Sequence, residues 1–118
     1  MIREVIFYKT AEGQCPVQEF LDGLSSKVAQ KVVWTLTLLE EFGTLPASYF
    51  KKLVHTKDIW EVRISMGSNI FRIFCFFAGK SVVVLTHGLA KKTQKTPPRE
   101  IERAESYKRE YLARRMIE

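Results

Sequence analysis

Residues 58–89 read DIWEVRISMGSNIFRIFCFFAGKSVVVLTHGL, and the period of this stretch decides the fold. DIWEVRIS alternates, with Ile59, Glu61, Arg63 and Ser65 on one face and Trp60, Val62 and Ile64 on the other. That two-residue period is a strand's, because successive side chains in an extended chain point to opposite faces. MGSN is a turn into IFRIFCFF, and AGK a turn into SVVVLTHGL. Three strands joined so closely predict an antiparallel meander.

Upstream of the meander the period is different. Ile2 to Tyr8 alternates as an opening strand, with Val5 and Phe7 on one face and Ile2 and Ile6 on the other. After the loop TAEGQC, Pro16 suits a helix's first turn, and Val17, Phe20, Leu21 and Leu24 follow at helical spacing. Ser25 is a natural N-cap for a second helix with Val28, Val32, Leu36 and Leu39 along one face. Gly43 suits its left-handed stop. TLPASYFKKLVHT reads as a loop, and Thr96-Pro97-Pro98 starts a C-terminal helix with Ile101, Ala104, Tyr107 or Lys108, and Tyr111 as a thin apolar stripe. The expected fold class is α+β: a helical hairpin and a C-terminal helix on a small antiparallel sheet, in the order β-α-α-β-β-β-α. At 118 residues, 46% of them hydrophobic, residues 1–118 are expected to form a single domain with a packed core.

Charge is unevenly distributed. Residues 1–50 hold four basic and six acidic residues (net −2), whereas residues 51–118 hold fifteen and seven (net +8). Between Ile59 and Arg99 the sole acid is Glu61, and Lys91, Lys92 and Lys95 fall within five residues. Like charges left unpaired repel, so a cationic surface of this kind expects an anionic partner such as nucleic acid. No apolar run reaches the ~18 residues of a membrane span, and the N-terminus lacks a secretory signal's apolar core. A cytoplasmic protein with no membrane partner is expected, with Cys15 and Cys75 as reduced thiols. Neither cysteine has a second ligand at zinc spacing, and no carboxylate cluster suits magnesium, so neither a metal nor a cofactor is expected.

Arg72 interrupts the otherwise uncharged IFRIFCFF. A buried guanidinium needs a partner, so Arg72 either pairs with Glu61 across the strands or opens onto a cleft, and both can hold together. Arg63, Arg72, Lys91 and Lys92 are placed to converge on a phosphodiester, with Lys95 tracking the RNA backbone. Such a set suits metal-free RNA cleavage, in which cations stabilise the charge gathering on phosphorus. Two residues are candidates for the base, His87 and Glu61, although a strand-end histidine also fits a purely structural role.

The strings IWEVRI, NIFRIFCFF and VVVLTHGLAKKTQKTPPREIERA resemble the RelE/HigB toxins of type II toxin–antitoxin systems, nearest the superfamily's phage-derived branch. The resemblance implies an mRNA interferase that cuts messenger RNA on the ribosome and is neutralised by a cognate antitoxin, often a helix-turn-helix protein. It places the family's strand arginines on Arg63 and Arg72 and its basic cluster on Lys91 and Lys92. Glu61 stands where many ribosome-dependent relatives carry lysine. Phe71 replaces a common tyrosine, and Leu89 and Ala90 stand where a Gly-Phe-x pattern is commoner. The superfamily's ParE-like branch supplies the alternative, a non-enzymatic protein acting on DNA gyrase or binding nucleic acid.

Overall fold

The computed structural model describes residues 3–91 and 95–117, and the side chains of 3–90 and 95–115. The elements are β1 (Glu4–Phe7), α1 (Pro16–Asp22), α2 (Ser26–Phe42), β2 (Phe50–Lys52), β3 (Trp60–Met66), β4 (Asn69–Ala78), β5 (Val82–Lys91) and α3 (Pro98–Ile117). Together they make an α+β fold on one five-stranded sheet, ordered β1-β5-β4-β3-β2.

Two features differ from the expected sheet. The loop after α2 contributes a short edge strand, β2, paired antiparallel to β3 with Lys51 opposite Glu61. Phe50 anchors it, stacking on Trp60 with ring centroids 4.8 Å apart. In addition, β1 pairs parallel to β5, so the sheet is mixed rather than wholly antiparallel. The two helices between β1 and the meander carry the chain over, as a parallel pairing requires.

One sheet face belongs to the helical hairpin. Val32 and Leu39 of α2 and Val17 of α1 are fully buried there against Val62, Ile73 and Leu85. Each such side chain contributes about 1.5–3 kcal/mol by leaving water. Ser25 Oγ accepts the Val28 N–H at 3.3 Å and starts α2. Gly43, at φ 75°, ends it by donating to the Leu39 carbonyl. The other face receives α3, whose Ala104 is fully buried and whose Ile101, Tyr107 and Tyr111 pack over Ile59, Phe74, Phe76 and Val84. Polar contacts pin that helix: Lys108 donates to the Lys57 carbonyl, Arg114 to the Lys9 carbonyl, and the Tyr8 hydroxyl to the Glu110 carboxylate.

A β-bulge separates the two halves of β5. Cys75 pairs with Leu85, but Phe74 pairs with His87, leaving Thr86 as the extra residue. Its hydroxyl lies 3.1 Å from the Phe74 carbonyl, occupying a ladder group that the bulge frees. The extra residue changes the alternation. Before it Val84 faces α3, and after it His87 and Leu89 do, while Gly88 turns to α1.

Candidate functional site

On the α3 face, β3 and β4 lie side by side in a register that pairs Arg63 with Arg72. Both therefore point to the same side as Glu61, two residues before Arg63. Arg72 is 2% exposed and Glu61 fully buried. Arg72 Nη1 donates to both carboxylate oxygens of Glu61, at 2.9 and 3.1 Å. Thr96, just ahead of α3, donates to Glu61 Oε2 at 3.0 Å and accepts from Arg72 Nη1 at 3.3 Å. Arg63 Nε lies 3.4 Å from Glu61 Oε1. One buried carboxylate thus holds two guanidinium groups and the start of the C-terminal segment. Such an arrangement offsets the cost of burying charge and fixes side chains that would otherwise wander.

Above this network is a cleft of about 220 Å³ with Lys51, Glu61, Arg72, Lys95 and Thr96 in its lining. Lys51 and Lys95 are exposed at the rim. Three cations line the cleft and Arg63 sits against Glu61 from beside it, so the cleft is electropositive around a fixed carboxylate. An anion with several oxygens suits it, because guanidinium forks bind such groups in a set geometry and lysines add charge.

The candidate residues divide accordingly. Glu61, Arg72 and Lys95 come together at the cleft, and Arg63 contacts Glu61 from beside it. Lys91 closes β5 opposite Ile70, inside the strand rather than past its end, and Lys92 lies outside the described residues. His87 lines a different hollow, with Glu19, Phe20 and Arg103. It is 1% exposed, packed on Phe74 at 4.8 Å and edge-on to Tyr107 at 5.8 Å. Its Nε2 lies 3.1 Å from Glu100 Oε1, and its Nδ1 3.1 Å from the Thr86 hydroxyl. Lys51 and Thr96 went unread in the sequence: Lys51 looked like loop, and Thr96 like a helix boundary. Cys15 and Cys75 are free thiols. Among the described residues no three His, Cys, Asp or Glu side chains cluster as a metal would need, and no helix is long and apolar enough to cross a membrane.

Burial, and then the Arg103 guanidinium, push the His87 pKa from 6.5 down to about 4, against an opposing pull from Glu100. Above the ordinary value neither the folded nor the unfolded chain is protonated at this ring, and stability is at its full level. As pH falls toward 4 the unfolded chain binds the proton first, so about 1.4 kcal/mol is lost per pH unit. Urea midpoints measured from pH 7 to pH 5 should fall steeply in the wild type and less steeply in His87→Gln. Equal slopes would show that His87 does not govern this window.

The comparisons with known proteins agree with this architecture. The phage-derived protein Gp49-like family (DUF891) matches residues 19–109. A chain of the archaeal RelE–RelB complex from Pyrococcus horikoshii OT3 superposes with a TM-score of 0.51 at 14% identity, over 80% of this chain and 100% of that one. At that identity the likeness speaks for the fold alone. No curated protein matches the chain in sequence. The resemblance drawn from the β-strand motifs is borne out at the level of family and fold. The chain belongs to the phage-derived Gp49-like family, built on a RelE-like fold.

Proposed function

We propose that this chain is the toxin of a type II toxin–antitoxin pair and cleaves messenger RNA on the ribosome, without a metal. The observation that carries this reading is Arg72, held rigid by Glu61 and Thr96 beneath a cleft rimmed by Lys51 and Lys95, with Arg63 against the same Glu61. Family membership and the RelE-like fold support it. RelE itself is found in a complex with RelB, and we carry a cognate antitoxin of that kind to this chain.

In the reaction a ribose 2′-oxygen loses its proton and bonds to the adjacent phosphorus. The bond from phosphorus to the 5′-oxygen breaks, and that oxygen takes up a proton. The products are a 2′,3′-cyclic phosphate and a 5′-hydroxyl. Negative charge gathers on the non-bridging oxygens between, where preoriented guanidinium groups stabilise it most. In this reading Glu61 positions the arginines, and His87 braces α3 outside the cleft. Lys51 and Lys95 draw in the backbone, joined by Lys91 and Lys92.

Primer extension on a translated reporter mRNA after induction tests the activity. New 5′ ends within codons are expected; DNA breaks without such ends would replace this reading with action on gyrase. A second measurement tests the rim. Lys51→Ala and Lys95→Ala should each weaken RNA binding about equally across sequences, since phosphates carry no base information. Each should also lower the slope of log affinity against log salt by ~0.7. Slopes matching wild type would remove these lysines from the interface.

A further inference from the structure

A second hollow lies on the other side of Arg63. It measures about 390 Å³ and is bounded by Trp34 and Leu38 of α2, Leu45, Tyr49, Ile64 of β3, and Arg63 itself. Trp34 is 60% exposed and Tyr49 50%, so two large rings stand at its mouth instead of in the core. Apolar side chains line most of it. Its charged members are Lys31 and Arg63, and no carboxylate is among the described residues that line it. Lys31 is anchored at the hollow's end of β3 by donating to the Ser65 carbonyl at 2.5 Å. The Arg63 N–H donates to the Tyr49 carbonyl at 2.8 Å, tying one ring's backbone to the residue that also contacts Glu61.

An aromatic, acid-free slot on the hairpin face, linked through Arg63 to a cationic cleft on the α3 face, has the two parts that a single-stranded nucleic acid needs. Phosphates follow the charge, and an unstacked base seats on a ring face. We infer that the Trp34–Tyr49 hollow is a stacking site for one base of the RNA whose backbone crosses the Arg72 cleft. Arg63, which lines the hollow and contacts Glu61 of the cleft, is the link between them. The inference rests on the nuclease reading above and adds to it a base contact on α2. Charge complementarity selects the occupant: Lys31 and Arg63 suit the phosphates flanking a base.

The test uses the full chain and a short 2′-O-methyl RNA, which binds but lacks the free 2′-hydroxyl needed for cleavage. Affinity is measured by anisotropy for the intact oligonucleotide and for a set with one abasic position each. In wild type, one abasic position should weaken binding roughly tenfold. Trp34→Ala should bind the intact RNA more weakly by a similar factor and lose its sensitivity to that position. Trp34→Phe should keep most of the affinity, and the salt slope should stay unchanged because no phosphate contact is removed. Trp34 is largely exposed, so circular dichroism should show a folded variant. Wild-type affinity in Trp34→Ala, with salt-dependent binding intact, overturns the stacking site and leaves the nuclease reading standing. Loss of antitoxin binding in Trp34→Ala with RNA affinity unchanged overturns it too, and makes the surface a protein interface. Absence of RNA binding by the wild type overturns both.

Discussion

Arg72→Ala should lower single-turnover cleavage on programmed ribosomes by ~10²–10³, the usual loss when one preoriented donor is removed from a charged transition state. It should also destabilise the fold. Glu61 is fully buried, and losing Arg72 leaves it with Arg63 at 3.4 Å and Thr96. Breaking a buried pair from one side costs about 3–5 kcal/mol, and these remaining contacts place the loss toward the lower end. A second variant separates the two effects. Replacing the pair together, Glu61→Leu with Arg72→Met, removes the stranded charge and should return the unfolding midpoint most of the way to wild type. Cleavage should stay lost. If Arg72→Ala, once shown to be folded, cuts at the wild-type rate, or the paired variant regains cutting, Arg72 is purely structural.

Gly88→Ala should be damaging out of proportion to a single added methyl. A Cβ built on Gly88 would lie 2.3 Å from Phe20 Cδ2 and 2.5 Å from its Cγ, far inside contact distance. The obstacle is the root of the ring, so a small rotation of the tip does not relieve it. Phe20 must leave its seat, and with it α1 shifts off β5. Overpacking of this kind typically costs about 1–3 kcal/mol. Phe20→Ala on its own should also destabilise by exposing and hollowing the site. Combined, the two should cost less than their sum, because the small side chain makes room for the added methyl. Additive losses in urea unfolding would show that the contact does not set the stability of this corner.

How much of this was legible in the sequence depended on range. Ser25, Gly43 and the Val28–Leu39 stripe act within a turn or two of helix, and they read correctly. So did the alternation of Trp60, Val62 and Ile64 toward the hairpin, and the stripe from Ile101 to Tyr111. The Glu61–Arg72 pair was also readable, because a lone charge in an apolar strand has few ways to be satisfied. The parallel pairing of β1 with β5 joins residues nearly eighty apart, and local pattern carries no trace of it. A three-residue strand such as β2 is too short to show a period, which hid Lys51. Thr96 gave no signal because its role depends on where the chain returns. His87 read as a candidate base near a strand end, and its burial under α3 depends on where the chain returns.

The bulge at Thr86 makes β5 a strand whose two halves keep opposite phase. Substitution and length change therefore have different consequences for descendants of this sequence. A replacement at Leu89 alters one contact. Removing Thr86 would leave His87, Gly88 and Leu89 on the faces they already hold, because Leu85 and His87 already pair with consecutive residues of β4. Inserting one residue after His87 would instead send Gly88 toward α3 and Leu89 toward the hairpin. The tight seat under Phe20 would then be asked to hold the inserted side chain. Recombination within the family should accordingly tolerate crossovers at residue 86 whether or not both parents carry the extra residue, but not between parents whose β5 differs in length beyond it. The strand behaves here like a text with a frame, in which a single character of spacing outweighs many changes of spelling.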